Sequence, residues 1–560
     1  MSTKIAYEET THSQHDSQEE NEPASTTLKL SDRSADESYK LFSKVQVSDP
    51  TPEEARIIRN KCLWRILPFL CIGYHLMYVD KQTLGSSAIL GILEDAKLNS
   101  NQYNWLSSIF YFGYMVAEWP QNWALQRFPV GKWLAGNLIV WGGITLLHIP
   151  CNNFASLFVV RFLLGLSEAC IVPAFLLSMS MFFTYQEQAV MMSVMWSIGN
   201  SSPITSGFLS YGVLWIKTGS FHPWKWLMGM FPRSHLLINA PAANKFSIVI
   251  TGVITIIFGG LVYLFFPDSP LHADFLTYEE RAQAILRIKG NNSGIEQKQF
   301  KKHQFIEAIK DPKTWLFALH AWSQEMGNGI NNQTSLIINS FGFTVFQTTL
   351  LSTVSGVIAF FTLSAAAITL HFTRVSRVTG FGFCAYVLIK SPELPSMDIT
   401  HRIPLPWSNR WGLIVGVWLR YTTGVPYAVV MIWAANASAG HTKKTTVIAL
   451  YHIGYGLGNI ISPQLFEPRW KPRYKPTWII LLVVAAILPS IIIITLRIYL
   501  SRENKRRDKL EADNVVANNG LVETTNADGT KDVRVVDTNQ LDLTDRENLK
   551  FAHYQDGRDS

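Results

Sequence analysis

Two pairs of charged residues lie inside long apolar stretches of this 560-residue sequence, where ionised side chains are costly. Asp80 and Lys81 are adjacent at the end of the first stretch. Arg161 and Glu168 lie seven positions apart, which places both on one face of an α-helix, about 10 Å apart along its axis. A buried carboxylate can exchange a proton, and a guanidinium can bind a carboxylate or sulfonate. The pairs predict proton and anion handling, although interfacial charges or structural ion pairs between helices would also explain them.

A third candidate is a polar stripe in a later apolar stretch. His320, Gln324 and Asn328 recur every four residues, and Asn331 extends the same helical face. Such a stripe on a membrane helix is typical of a cavity lining, and hydrogen bonding between helices is the alternative. We therefore predict that Gln324, Asn328 and Asn331 bind substrate. Other polar or ionisable candidates inside apolar stretches are Glu118, Glu325, Asn332, Arg420 and His452.

The elements that must position these residues are the apolar stretches themselves. Only 16% of the residues are charged, against roughly 25% in soluble domains, and 48% are hydrophobic. A membrane-spanning helix needs about 20 apolar residues, and these stretches are too long and too unalternating for barrel strands. The predicted spans are 63–79, 103–122, 133–150, 157–183, 190–214, 246–266, 315–341, 348–372, 379–389, 413–433, 447–466 and 478–500.

These spans predict an all-α, polytopic membrane protein with about twelve transmembrane helices in two six-helix halves. Basic residues flank the first and last spans and occupy alternate loops, which predicts that both termini are cytoplasmic. The loop at 469–475 is an exception, because its basic residues would then face outside. The predicted segments are a disordered cytoplasmic tail (1–60), the first half (61–266), a cytoplasmic central loop (267–314), the second half (315–500) and a cytoplasmic C-terminal tail (501–560).

Several function classes find no support in the residues. The excess of 49 Lys and Arg over 42 Asp and Glu is modest, so nothing indicates nucleic acid binding. The five cysteines lie in or beside apolar stretches without a CxxC pair, which indicates small buried residues rather than disulfides or a metal site. We expect no cofactor, and we find no nucleophile–base pair or nucleotide loop that would predict an enzyme.

Several segments resemble the fungal allantoate permease family, a group in the anion:cation symporter branch of the major facilitator superfamily. The resemblance covers roughly residues 60–550 and is specific to the family but not to one substrate. The segments that carry it are 80–85 (DKQTLG), 126–132 (QRFPVGK), 161–168 (RFLLGLSE), 267–270 (PDSP), 471–474 (KPRY) and 542–548 (DLTDREN).

The resemblance implies import of a small organic anion with protons, by alternating access. The anion would be a carboxylate, ureide, vitamin or sulfur compound. Asp80 and Glu168 match proton-handling positions, and Lys81 and Arg161 match anion-binding positions. Lys81 stands where many relatives in the wider branch have Arg, so its contact would be point-like rather than bidentate. A multi-pass monomer in the plasma membrane is expected, and a passive facilitator or a non-transporting nutrient sensor on the same fold is the alternative.

Two segments depart from the family pattern. Residues 227–245 follow Trp224-Lys225-Trp226 where the sixth span should begin, which indicates an insertion. The ninth span, 379–389, would reach only about 16 Å as a helix, well short of a hydrocarbon core of about 30 Å.

Overall fold

The computed structural model of the chain describes most of the predicted spans. The described residues are 50–216, 222–228, 251–288, 301–372, 410–419, 421, 427, 430–431, 433–434, 437–470, 474–512, 519–525, 531–537 and 544–546. Predictions that lie outside these residues concern most of the N-terminal tail, the insertion from 229 onward, the ninth span, Arg420 and part of the loop at 469–475.

The helices of the first half begin where capping groups precede an apolar run. Thr51 accepts a hydrogen bond from the backbone of Glu54, whose side chain bonds back, and Pro52 opens the helix. Asn99 and Gln102 form a second box of this kind. The helices are α1 (Pro52–Ile89), α2 (Ile92–Asp95), α3 (Ser100–Arg127), α4 (Val130–Leu146), α5 (Phe154–Glu168), α6 (Ile171–Phe182), α7 (Tyr185–Asn200), α8 (Ser202–Val213), α9 (Pro223–Met228) and α10 (Thr251–Phe265).

The connecting segment and the second half follow the same rules, with Asp311 capping the helix that Pro312 opens. Their helices are α11 (Tyr278–Ile288), α12 (Lys302–Lys310), α13 (Pro312–Glu325), α14 (Gly329–Ser340), α15 (Val345–Phe372), α16 (Arg410–Leu419), α17 (His441–Ile461), α18 (Lys475–Leu481) and α19 (Leu488–Ala512). Shorter elements are the 3₁₀ turns Pro270–His272, Ser462–Leu465 and Pro468–Trp470, and the π-helical Leu482–Ile487.

Three predicted spans are each divided into two helices. The fourth becomes α5 and α6, the fifth becomes α7 and α8, and the seventh becomes α13 and α14. Among the described residues, four runs are long and apolar enough to cross a membrane: Pro52–Ile89, Phe154–Phe182, Val345–Ala365 and Lys475–Lys509. The residues at these breaks keep right-handed helical backbone angles, so the breaks are local distortions of a helical path; these residues are Ala169, Cys170, Ser201, Met326 and Asn328.

The described residues of both tails include regular secondary structure. α1 begins at Pro52, inside the segment predicted to be disordered, because the Thr51–Glu54 capping box stabilises its first turn. In the C-terminal tail, β1 (Asn519–Thr525) and β2 (Lys531–Asp537) form an antiparallel pair with Asn519 opposite Asp537. The tail also holds an ordered segment at 544–546.

Close glycine contacts pack the helices of each half. A Cβ on Gly165 of α5 would lie 2.1 Å from the carbonyl oxygen of Phe110 on α3, and one on Gly113 would lie 2.4 Å from that of Phe162. In the second half, a Cβ on Gly454 of α17 would lie 2.3 Å from the carbonyl oxygen of Ala318 on α13. Small residues allow membrane helices to approach this closely, so both halves pack a pair of helices at glycine residues.

Replacing Gly165 by Val should destabilise the protein by about 1–3 kcal/mol, because α5 must move away from α3 to admit the side chain. The measurement is the unfolding temperature of detergent-purified protein together with its amount in the membrane. Gly136→Val is the matched control, since nothing lies within 4 Å of a Cβ at Gly136. Equal unfolding temperatures for the two variants would contradict the contact.

Candidate functional site

A cavity of about 140 Å³ lies between the two halves. Its lining is rich in aromatic and amide side chains, with one ammonium group and one carboxylate among the lining residues. Those residues are Tyr74, Tyr78, Lys81, Gln82, Tyr111, Trp196, Asn200, Ser202, Pro203, Gln324, Glu325, Gly327, Asn328, Asn331, Asn332, Tyr421, Tyr427 and Tyr455. Convergent polar groups in a concave, aromatic-rich site are typical of a small-molecule binding site.

An ion pair between Lys81 of α1 and Glu168 of α5 forms part of the cavity wall. Lys81 Nζ lies 2.9 Å from Glu168 Oε1. The Glu168 side chain has no solvent exposure, whereas that of Lys81 is 17% exposed and lines the cavity. Glu168 therefore lies behind Lys81, and any group that binds Lys81 from the cavity competes with this carboxylate.

Aromatic rings surround the Lys81 ammonium group as well. Its Nζ lies 5.4 Å from the ring centroid of Tyr78 and 5.8 to 6.0 Å from those of Phe110, Tyr111 and Tyr114. Ring faces at these distances attract a cation, so the rings and Glu168 together hold the ammonium at the cavity wall.

Asp80 points away from the cavity, although it is the neighbour of Lys81. Successive residues of a helix are rotated by about 100°, so the two side chains leave α1 in different directions. Asp80 is 3% exposed, and the indole Nε1 of Trp141 on α4 donates to its Oδ2 at 3.4 Å. Arg161 is the charged group that attracts Asp80 most strongly. The sequence groups Asp80 with Lys81 and Arg161 with Glu168 as pairs. In the structure, Lys81 pairs with Glu168, and Arg161 is the counter-charge of Asp80.

Arg161 does not line the cavity in this structure. It is 4% exposed, and its Nη2 has no hydrogen-bond partner among the described residues. An anion in the cavity would not reach it without a rearrangement of α1, α3 or α5. The contact of Arg161 with substrate therefore stays a prediction. In this structure Arg161 is a counter-charge for Asp80.

The break between α13 and α14 brings the predicted polar stripe to the cavity. Gln324, Asn328 and Asn331 all line it, whereas His320 is fully buried elsewhere. Asn331 Nδ2 donates to Asn328 Oδ1, and Asn328 Nδ2 donates to Asn459 Oδ1 and, at 3.3 Å, to the hydroxyl of Tyr111. These contacts join α13–α14 to α17 and to α3 of the other half.

Glu325 is named among the ionisable candidates of the sequence but not among the predicted substrate-binding residues. It is half-buried at the end of α13 and lines the cavity. Asn459 Nδ2 donates to its Oε2 at 3.1 Å. Five tyrosines line the same cavity: Tyr74, Tyr78, Tyr111, Tyr427 and Tyr455. The sequence held a signal for Glu325, because it is an acidic residue next to Gln324. It is absent from the predicted binding residues because it does not share their helical spacing.

One end of the interface between the halves is sealed by hydrogen bonds, at the end where α3 begins. The Tyr103 hydroxyl donates to the carbonyl of Asn332 at 2.8 Å, and Asn104 Nδ2 donates to that of Phe466 at 3.0 Å. Gln333 Nε2 donates to Asn104 Oδ1 at 2.8 Å. These hydrogen bonds join the two halves at this end of the cavity.

The cavity between two helical halves points to a transporter family, and a sequence comparison decides which one. A model of the Major Facilitator Superfamily matches residues 70–463. The chain belongs to this superfamily. It is therefore a multi-pass membrane protein and a secondary transporter rather than an enzyme.

Fungal transporters resemble the chain over most of its length. An uncharacterized transporter of Schizosaccharomyces pombe is 34% identical over 94% of this chain and 89% of its own length. The high affinity cysteine transporter of Saccharomyces cerevisiae is 31% identical, with 90% and 92% covered. The allantoate permease of the same yeast is 29% identical, with 88% and 87% covered. These matches confirm the predicted resemblance to the allantoate permease family.

Solved structures of the superfamily share the fold. A bacterial homolog of the human lysosomal transporter Spinster, in an inward-facing and unoccupied conformation, has a TM-score of 0.52 at 14% identity, over 80% of this chain and 98% of that one. A D-xylose–proton symporter has a TM-score of 0.53 at 10% identity, over 78% and 97%. The predicted all-α architecture with about twelve membrane helices is confirmed.

Replacing Lys81 by Met should lower the free energy of unfolding by about 3 kcal/mol, because it leaves the Glu168 carboxylate buried without its partner. Adding Glu168→Gln should restore most of the loss, since a neutral amide does not need the ammonium. The unfolding temperatures of the two single variants and the double variant measure this coupling. Additive losses in the double variant would show that the pair contributes no coupling energy.

Proposed function

We propose that the protein imports a small organic anion together with protons, and the Lys81–Glu168 ion pair is the observation that carries this proposal. When Glu168 takes up a proton, its attraction for Lys81 falls and the ammonium becomes available to a substrate carboxylate or sulfonate. When Glu168 loses the proton, its carboxylate competes again for Lys81 and favours release. Proton and anion would then be bound and released together.

Asp80 is the second proposed proton site. Its hydrogen bond from Trp141 and the electrostatic influence of Arg161 act on a different face of α1 from that of Lys81. Protonation of Asp80 would leave the buried Arg161 without its main counter-charge, which would favour a rearrangement of α1 against α4 and α5. We propose that this change connects the proton to the conformational step, and that Arg161 reaches substrate in another state of the cycle.

The orientation proposed for the chain puts both termini in the cytoplasm, in the plasma membrane. Under this orientation, the hydrogen-bonded end at Tyr103 and Asn104 faces outside. The structure then corresponds to a state closed to the outside, and import requires these contacts to open. Gln324, Asn328 and Asn331 would bind the substrate through hydrogen bonds, and we expect the transporter to act as a monomer.

A substrate that also carries an amino group is a second candidate, and Glu325 favours it. A protonated amine in the cavity could bind this carboxylate and the surrounding tyrosine rings while its acidic group binds Lys81. The high affinity cysteine transporter among the relatives is consistent with a substrate of this kind.

The direct test is uptake in yeast cells that lack their own allantoate-family carriers. Labelled allantoate, nicotinate, pantothenate, cysteine and taurine are supplied at acidic and neutral external pH. We expect uptake of at least one compound to rise in acid, because protons drive entry, and to collapse with a protonophore. Uptake independent of pH would favour a passive facilitator, and no uptake with protein at the cell surface would favour a sensor.

Glu168→Gln should abolish accumulation against a gradient while leaving exchange of substrate across the membrane, because the amide cannot take up or release a proton. Glu118→Gln is the matched control, since Glu118 lies in the apolar part of α3 and does not line the cavity. Accumulation by Glu168→Gln at the normal level would exclude Glu168 as the coupling site.

Glu325→Gln should separate the two substrate classes. If the substrate carries an amino group, uptake of cysteine or taurine should fall about tenfold or more, the effect of losing one charged hydrogen bond. Nicotinate uptake should change little. An equal loss for all compounds would assign Glu325 to the transport cycle rather than to substrate recognition.

A further inference from the structure

Two buried lysines form a basic pocket at the end of the second half where α13 and α17 begin. Lys313 is the second residue of α13, and Lys443 lies in the first turn of α17. They are 1% and 0% exposed. Lysines are rarely this deeply buried unless they are paired, so the identity of their partners decides whether this region is stable.

A carboxylate from the C-terminal tail lies between the two ammonium groups. Asp545 Oδ2 is 2.6 Å from Lys313 Nζ, and Asp545 Oδ1 is 2.8 Å from Lys443 Nζ. The backbone N–H of Ala439 also donates to Oδ1, at 3.3 Å. Asp545 is itself only 1% exposed, so one carboxylate of the tail bridges two helices and the turn that precedes α17.

The residues beside Asp545 extend the contact. The Thr544 hydroxyl donates to Glu307 Oε2 of α12 at 2.9 Å, and Thr544 is fully buried. Glu307 Oε1 in turn lies 2.7 Å from Lys443 Nζ. Arg546 is different, because its side chain is 47% exposed and lies 3.8 Å from Asp311. The short segment 544–546 therefore contacts α12, α13 and α17 at once.

The pocket has its own acidic residues, but they do not replace Asp545. Asp311 lies 3.0 Å from Lys443 Nζ and 3.6 Å from Lys313 Nζ, and Glu307 pairs with Lys443. Among the described residues, Asp545 is the carboxylate closest to Lys313. Without it, Lys313 would keep the carbonyl oxygen of Ala437, at 2.7 Å, and the more distant Asp311.

We propose that the tail segment 544–546, through Thr544 and Asp545, is a latch, an internal ligand of the pocket formed by Lys313 and Lys443, and that its docking is required for the full transport rate. Bound, it holds together the ends of α12, α13 and α17, so that the second half moves as one body. Released, it lets these ends separate and slows the conformational step. The docking itself does not depend on which substrate is carried.

The latch should resist acidification. Burial by itself would raise the pKa of Asp545, but the charges of Lys313 and Lys443 outweigh it and lower the pKa from 3.8 to about 2. A carboxylate with a lowered pKa contributes its full stabilisation above about pH 4, and the contribution is lost as the pH falls toward 2. Release in a cell would therefore come from a competing anion or an added negative charge rather than from protons. A carboxylate placed at position 544 would face Glu307 and act in this way.

Hydrogen exchange of the full-length protein in detergent tests the docking without any substrate. In the wild type, the amides of 544–546 and Ala439 should exchange about 100-fold or more slowly than in a free peptide. In Asp545→Asn, and in Thr544→Glu, this protection should fall to near the peptide rate. Arg546→Gln is the matched control and should keep it, because an exposed ion pair contributes little. Wild-type amides that exchange at the peptide rate would overturn the proposal.

Transport by the same variants tests the role of the latch. Asp545→Asn should lower the initial uptake rate several-fold with an unchanged amount of protein at the cell surface, and Arg546→Gln should transport normally. Lost protection with normal uptake would overturn the functional role. If Asp545→Asn does not reach the surface, Thr544→Glu and the wild-type exchange rates still decide the question. An absence of uptake in the wild type would contradict the proposed function, while exchange would still report the docking.

Discussion

The ion pair between Lys81 and Glu168 sets the constraint that the surrounding structure must meet. A carboxylate with no solvent exposure inside a membrane bundle persists only beside a counter-charge. That requirement holds α1 and α5 together at the cavity wall. The approach of α5 to α3, permitted by Gly113 and Gly165, places Phe110, Tyr111 and Tyr114 around the same ammonium group. The buried ion pair and the rings around it therefore connect α1, α3 and α5 at one point of the cavity wall.

The two halves reach similar packing with different polar chemistry. Glycines bring α3 against α5 in the first half and α13 against α17 in the second. To the cavity lining, the first half contributes the ammonium group of Lys81, whereas the second contributes mainly amides, from Gln324 to Asn332, together with Glu325. A small molecule in the cavity would therefore contact both halves.

Charged residues at the ends of the helices join them to segments outside the membrane. In the first half, Lys61 on α1 contacts Glu280 on α11 at 2.5 Å, and Glu187 on α7 contacts Arg287 on α11 at 3.1 Å. In the second half, the tail residue Asp545 joins α13 to α17 through two lysines. The first half is thus contacted by α11 of the connecting segment, and the second by Asp545 of the C-terminal tail. Such contacts let each half move as a unit, which alternating access requires.

The sequence by itself determined the fold class and the family, because both follow from features that are local. Long apolar stretches of about 20 residues predict membrane helices, and short motifs such as residues 80–85 and 161–168 identify relatives. It also predicted that Gln324, Asn328 and Asn331 share one helical face, and all three line the cavity. Only the tertiary structure decided the partners. Adjacent residues on α1 face different neighbours, so Lys81 pairs with Glu168 while Asp80 interacts with Arg161, and neither pairing can be read from spacing within one helix. The role of Glu325 and the docking of Asp545 were decided in the same way, because both depend on contacts between residues more than a hundred positions apart in the chain.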